Sequence, residues 1–395
     1  MKRNVLAGVT LLAASLMPAT GQAQDTIRIG VILPYSGQFA DASKQVDEGI
    51  KLYMKQHGDT VAGKKIEIIR KDSGGINPPV AKRLAEELVV RDKVDILAGW
   101  LLTPNAIAGC GVSAEAKKVS VIMNAATSII VDKSPYCVRA SFTLPMITTS
   151  LGNWAVKNGI KKAYTMVSDF APGHDAEQGF INGFKAGGGE IVGSVRMAVA
   201  NPDFSAYVQR AKDLNPEAIF VFIPGGAQPA ALGKALAERG IDTKKVRVMG
   251  TQELTDDSAL VNMGDAALGI ISAGSYDHNL KSKMNQDFVA AYKMEFGGAN
   301  PNFFSIGGYD GMALIYEGLK KTKGDADAER LIGAMKGTKW TSPRGPMMID
   351  PETRDTVETI YIKRVEKVGG TLVNVEIDNI PNVKDPVHEA MKIKK

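Results

Sequence analysis

Two threonines stand where a hydroxyl could hold an anion. Thr103 directly precedes Pro104 at the start of a helical stretch, and Thr127 follows Ala125-Ala126 just past a short apolar run. A helix start offers N–H groups without intrahelical partners and the positive end of the helix dipole, which suits a carboxylate. Ser36-Gly37 repeats the pattern nearer the N-terminus. Ser and Thr also cap helices that bind nothing, so local sequence leaves both readings of Thr103 and Thr127 open.

Other chemistries lack their residues. The four histidines, His57, His174, His278 and His388, are far apart and form no i, i+4 pair. No cluster with metal-ligand spacing is seen. There is no G-x-S-x-G elbow, no G-x-x-x-x-G-K-[ST] loop and no G-x-G-x-x-G after the first strand. Gly187-Gly188-Gly189 falls between a helix and a strand and reads as a connection. No metal, cofactor or nucleophile–base pair is therefore expected, which argues against an enzyme.

The chain has 395 residues, 44% hydrophobic and 23% charged, with 48 Lys plus Arg against 43 Asp plus Glu. That is globular composition and more length than one domain usually takes, so two are expected. The formal charge of +5 is spread through alternating acids and bases. No basic block could neutralise many phosphates, so no nucleic-acid partner is expected. Lys2 and Arg3 precede an apolar run over 5–17, then Pro18 and Gly21-Gln22-Ala23. This is the pattern of a secretory leader over 1–23, too short to span a bilayer. A mature chain beginning near Gln24, outside the cytoplasm, follows, with no cysteine at the cleavage point to carry a lipid. In that compartment Cys110 and Cys137 favour a structural disulfide over reactive or metal-binding thiols.

Periodicity supplies the elements. Strands are expected at 27–33, 65–70, 94–98 and 119–123, alternating with helices at 43–57, from Asn77 onward, and at 104–117. A helix over 144–158 opens a second series. Its strands fall at 163–167, 190–196, 218–223 and 246–249, with helices at 173–185, 204–214 and 227–239. Such alternation predicts α/β architecture, as two doubly wound parallel-sheet lobes. The tail differs: a strand near 269–274, helices at 282–296 and 303–321, then β stretches 346–349 and 357–365 joined by a turn at 350–354. Ligands of parallel sheets sit beyond the carboxyl ends of the strands. Here those segments are 34–39, 98–103, 124–128, 168–173, 224–228, 250–253 and 273–276.

Ile29-Gly30-Val31-Ile32-Leu33-Pro34-Tyr35-Ser36-Gly37, Val94-Asp95-Ile96-Leu97-Ala98-Gly99, Arg139-Ala140-Ser141-Phe142, Gly307-Gly308-Tyr309-Asp310 and the strand over 345–350 occur in that order. In this the chain resembles the periplasmic type I solute-binding proteins of ABC importers, the leucine/isoleucine/valine-binding family. The resemblance implies two lobes joined by three hinge crossings, near residues 142, 275 and 339. Lobe one would hold 24–142 plus 276–338, and lobe two 143–275 plus 339–395. It also implies a small-molecule ligand in the interlobe cleft and a permease of the inner membrane as partner.

Carried onto this sequence, the resemblance puts the carboxylate-holding hydroxyl on Thr103, beside Leu102. The next loop falls on Ala125, Ala126 and Thr127, and an aromatic wall on Phe304. Three positions depart from the family pattern. The acid that would hold an ammonium falls on Gln252, with Glu253 beside it. An aromatic after Gly225-Gly226 falls on Ala227. The usual Tyr before Gly173 is Pro172, with Phe170 nearby. Phe39, Trp100 and Tyr276 add aromatic surface, core packing being the alternative for Phe39 and Trp100.

These departures favour an apolar organic acid, such as an aromatic carboxylate, over leucine. A buried ammonium needs a charged acceptor, and leucine fits only if Glu253 turns inward. Burying about 120 Å² of ring carbon gives roughly 3 kcal/mol, and two charge-assisted hydrogen bonds about 3–6 kcal/mol. Binding at about 1 µM needs about 8 kcal/mol net, after association costs of several kcal/mol. Apolar walls and helix-end donors are thus both required. A ligand-sensing module for a separate receptor is the rival reading on the same fold.

Overall fold

The strand Thr26–Leu33 is buried along its last five residues, as a run covered on both faces must be. Around it forms a six-stranded sheet in the order Thr60–Val61, Lys64–Asp72, Thr26–Leu33, Ile96–Gly99, Val119–Ile122, Cys137–Arg139. All neighbours are parallel except the short Thr60–Val61 hairpin arm. The structure is a computed structural model and describes residues 25–393. The leader expected over 1–23 lies outside the described residues. No helix among the described residues is long and apolar enough to cross a membrane.

A second, nine-stranded sheet is mixed. Its parallel part runs Ile271–Gly274, Arg247–Thr251, Ala218–Phe222, Lys162–Ser168, Glu190–Met197. Thr356–Val368 then joins Ile271–Gly274 antiparallel and carries the antiparallel neighbours Gly345–Ile349 and Thr371–Val383. Lys339–Ser342 closes that edge. The two doubly wound parallel-sheet lobes expected are present, and the tail adds antiparallel hairpins to the second, which need only short turns where parallel pairing needs a crossover helix. Thr371–Val383 was not anticipated, although Val373, Val375 and Ile377 alternate with Asn374, Glu376 and Asp378 as a half-exposed strand should.

The helices Ala40–His57 and Phe303–Lys321 pack together against the first sheet. Their backbones nearly touch. A Cβ on Gly49 would meet Ser305 O at 1.9 Å, and one on Gly308 would meet Val46 O at 2.0 Å. Only glycine permits that approach, which draws the Phe303-Phe304 end of the second helix toward the start of the first.

The connections between the sheets are locked by buried ions. Arg344 Nε donates to Asp310 Oδ2 at 2.7 Å, its Nη1 lies 2.8 Å from Glu358 Oε2, and it donates to the Ala140 and Ser141 carbonyls. Burial pushes the Glu358 carboxyl up to about 7, against the lowering pull of Arg344. Arg139 Nε donates to Asp355 Oδ1 at 2.8 Å. Cys110 and Cys137 form a disulfide that ties the helix Thr103–Ala116 to the strand carrying Arg139.

Candidate functional site

The carboxyl ends of both sheets open on one cavity of about 560 Å³. Four helices begin at its wall with apolar residues. The residues preceding the helices Ala40–His57, Thr103–Ala116, Ala171–Ala186 and Gln228–Glu238 are Phe39, Leu102, Phe170 and Ala227. All four line the cavity, and none caps its helix with a side chain. Six other helices have polar caps, Asn77, Thr143, Asp203, Ser282, Asn302 and Asp327, each accepting a hydrogen bond from its own helix, and two of these, Thr143 and Asn302, also stand beside the cavity. The four apolar starts leave first-turn amides without a partner from the cap residue's side chain.

Thr103 is the first residue of its helix, and its Oγ1 lies 3.1 Å from Thr127 Oγ1. The loop bearing Thr127 is held from behind. Arg139 donates to the carbonyls of Ala125 and Thr127, the latter at 2.7 Å, and Leu144 N donates to Ala126 O at 2.9 Å. With its carbonyls so engaged, the loop is fixed in position beside the start of the Thr103 helix.

Aromatic rings form the walls. Phe39 and Phe304 come from the elements on the first sheet, and Phe170 and Phe222 from the second. Phe170 and Phe222 stand 6.2 Å apart, while Phe303 lies tilted against Phe304 at 3.9 Å and meets Phe142 edge-on. Glu253 and Asp256 supply acid on the side of the second sheet. Burial pushes both carboxyls up, and each has a neighbouring acid adding to the rise, Asp256 for Glu253 and Asp257 for Asp256. Two bonds cross between the halves here: Asn302 Nδ2 to Asp256 Oδ1 at 3.0 Å, and Asn300 Nδ2 to Asp257 Oδ2 at 2.7 Å.

Of the residues expected from the sequence, Phe39, Leu102, Thr103, Ala126, Phe170, Gly226, Ala227, Glu253 and Phe304 meet around the cavity. Thr127 stands behind them, reaching the site through Thr103. Four expectations are corrected. Trp100 is fully buried with a left-handed backbone (φ 64°), which turns its ring into the core, where Nε1 donates to Ser120 Oγ. Ala125 is buried in the same core, its carbonyl spent on Arg139. Gln252 turns back to accept from Ser275 N at 2.9 Å. Tyr276 is buried and donates to Asn285 Oδ1 at 2.8 Å.

Several wall residues were not anticipated. Phe222 ends the strand Ala218–Phe222, so the strand-end rule reaches its neighbourhood, although the segment read there began at Pro224. Asn124 opens the expected strand-end segment 124–128, whereas Phe303, Asn300 and Glu48 have no comparable local mark. Asp355, Asp385 and His388 bring ligand-type atoms within 4.8 Å of one another. Those atoms are taken by Arg139, Ser128 and each other, which makes the group an ion-pair network rather than a metal cradle.

A family model described as periplasmic binding protein matches residues 26–370. The Leu/Ile/Val-binding protein homolog 6 of Brucella melitensis is 38% identical over 380 residues, 96% of this chain and 97% of that one. A solute binding protein of an ABC transporter from Rhodopseudomonas palustris BisB5, solved with 3,4-dihydroxy benzoic acid, is 52% identical with a TM-score of 0.88, over 92% of this chain and 100% of that one. Another from Rhodopseudomonas palustris HaA2, solved with p-hydroxybenzoic acid, is 40% identical at the same TM-score, covering 92% and 99%. With two α/β halves around one cavity and a match along nearly its whole length, this chain belongs to the periplasmic binding protein family, in its type I leucine/isoleucine/valine-binding branch.

Proposed function

We propose that this chain is the solute-binding subunit of an ABC importer, that it captures a small aromatic carboxylate, and that it delivers the guest unchanged to a permease in the inner membrane. The observation that carries this reading is the cavity itself. Aromatic faces from both halves flank it, and four helix starts around it lack side-chain caps. Amides at the start of the Thr103 helix, with the Thr103 hydroxyl, would take the carboxylate, and the phenylalanines the ring. The ligands of the two Rhodopseudomonas palustris proteins have this chemistry.

The lobes are proposed as 24–142 plus 276–338 and 143–275 plus 339–395, following the leader over 1–23. The guest bridges them, so its contacts exist in full only when the halves are together, and binding shifts the population toward closure. The bonds from Asn302 to Asp256 and from Asn300 to Asp257 would form in that state. A permease that recognises the closed surface would then sense occupancy.

A thermal-shift screen of benzoate- and cinnamate-type acids against branched-chain amino acids tests the reading. A ligand at 1,000 times its Kd stabilises the folded state by about 4 kcal/mol, so true guests raise the melting temperature. A response to leucine with none to any aromatic acid would overturn it in favour of amino acid transport, to which the inward Glu253 is compatible. Recovery of a chemically altered guest would overturn the transport reading altogether.

A further inference from the structure

The cavity wall carries acceptors that the protein leaves without donors. Asn124 Oδ1, Glu253 Oε2 and Asn300 Oδ1 belong to lining residues, and none has a hydrogen-bond partner. The two amides cannot turn over to correct this. Asn124 Nδ2 donates to the Leu101 carbonyl at 2.8 Å, and Asn300 Nδ2 donates to Asp257 Oδ2 at 2.7 Å. Each partner accepts only, so the nitrogen must face it and the oxygen is the group left over. Glu253 has no such constraint, because its terminal torsion is broad and either oxygen can swing toward the cavity. Cationic side chains are scarce: Lys44 is the single Lys or Arg among the lining residues, and it leans 3.7 Å from Glu48.

We infer that Glu253 is the specificity-determining acceptor for a ring hydroxyl, so that the preferred guests are phenolic acids rather than bare aryl acids. This deepens the aromatic-acid reading and rests on it. Glu253 Oε2 meets no donor within the protein, and a guest that leaves it unmatched forfeits that contact. A phenolic O–H is such a donor on a planar ring, and a planar ring suits walls of aromatic faces from both halves. Burial pushes the Glu253 carboxyl up and the nearby Asp256 adds to it, against the lowering pull of Thr251 and Lys363. An ammonium would also donate to Glu253, and the test separates the two.

The experiment is calorimetric titration of the full chain with benzoate, 4-hydroxybenzoate, 3,4-dihydroxybenzoate, leucine and phenylalanine. It is repeated for Glu253→Ala and Glu253→Gln, with melting curves of each unliganded variant. In the unaltered protein the hydroxylated acids should bind at least tenfold more tightly than benzoate. Glu253→Ala should shrink that preference, read as the ratio of the two affinities within the variant, to under threefold. Glu253→Gln keeps an acceptor oxygen and should retain an intermediate preference, and it carries the test if the alanine variant does not fold. The inference is overturned if benzoate binds as tightly as the hydroxylated acids, if the preference survives Glu253→Ala, or if that change weakens all acids equally. Binding of leucine or phenylalanine with no aromatic acid bound at all would instead sink the aromatic-acid reading beneath it.

Discussion

Thr103 and Glu253 face one cavity from opposite halves, in opposite surroundings. Behind Thr103 every contact is made: its hydroxyl meets Thr127, and the Thr127 carbonyl meets a fully buried Arg139 that also holds Asp355. Behind Glu253 one contact is open: Oε2 has no donor, and burial pushes the carboxyl up against the pull of Thr251 and Lys363. In the proposed clamp, one end would be preorganised before any guest arrives and the other completed by the guest. The ready half would capture the acid, and the incomplete half would gain most from closing on it, so that closure would report occupancy.

Breaking the preorganised end at its root should have the largest effect. Arg139→Met leaves Asp355 buried without its guanidinium and frees the Ala125 and Thr127 carbonyls. Removing one partner of a buried pair costs about 3–5 kcal/mol, and the loop beside Thr103 should lose its position as well. Urea denaturation should register the loss, and calorimetry should find ligand binding gone. Arg139→Lys should not rescue, since a single ammonium cannot reach three acceptors in a fork. Full affinity in a destabilised Arg139→Met protein would show that the loop needs no anchor, and the contrast with Glu253 would fail.

The same anchor can be weakened by pH. His388 Nδ1 sits 2.7 Å from Asp355 Oδ2, with Asp132 and Asp385 also within reach of the ring. Burial lowers its pKa, but the hydrogen bond and charge of Asp355, with the charges of Asp385 and Asp132, prevail and hold it up at about 9, above the usual 6.5. The folded state therefore binds this proton more tightly than the unfolded chain does. The stabilisation is complete below pH 6.5 and is lost as pH rises through about 9; for a shift of this size it amounts to about 3 kcal/mol. Denaturation midpoints measured from pH 6 to 10 should fall across that window, and His388→Gln should flatten the fall. An equal fall in the variant would assign the effect to other groups.

How far the sequence reached follows the same division. The strand-end segments carrying Thr103, Ala126, Phe170 and Ala227 were legible, because small and apolar residues before a helix start are a local pattern. The direction of a side chain at those ends was not. Trp100 and Gln252 sit in the right segments and point away, one by a left-handed backbone and the other by a bond to Ser275 N. Choosing between Gln252 and Glu253 needs the turn Gln252–Leu254, a three-residue 3₁₀ helix too short to show a period. Glu48 sits on the helix Ala40–His57, while Asn300 and Phe303 lie just before and at the start of Phe303–Lys321, and the Gly49–Gly308 approach that brings them together is revealed only by tertiary packing.

Thr103 itself should matter next. Thr103→Val keeps the shape and removes the hydroxyl, leaving Thr127 Oγ1 without its partner. A hydrogen bond to a charged group is worth about 1.5–3 kcal/mol, so calorimetry should find aromatic acids bound at least tenfold more weakly. Thr103→Ser should restore most of the loss. Unchanged affinity in the valine variant would remove Thr103 from the site and leave the helix amides as the sole anchor.

The smallest effect is expected at the incomplete end, and it sharpens the comparison by size rather than by charge. Ala227 precedes the helix Gln228–Glu238, beside Gly225 and Gly226, and lines the cavity with a single methyl group. Ala227→Phe should fill part of the 560 Å³ without touching any partner of Thr103. Overfilling a packed space costs about 1–3 kcal/mol. The lower figure is the relevant one, because the added ring faces a cavity rather than a closed core. Cinnamate-type acids should then bind about five- to tenfold more weakly, and benzoate should stay within threefold, since a single ring needs little of that space. The melting temperature without ligand should hardly move. If both acids lose affinity equally, the guest does not extend toward Ala227, and the ring must lie along the wall formed by Phe39 and Phe304 instead.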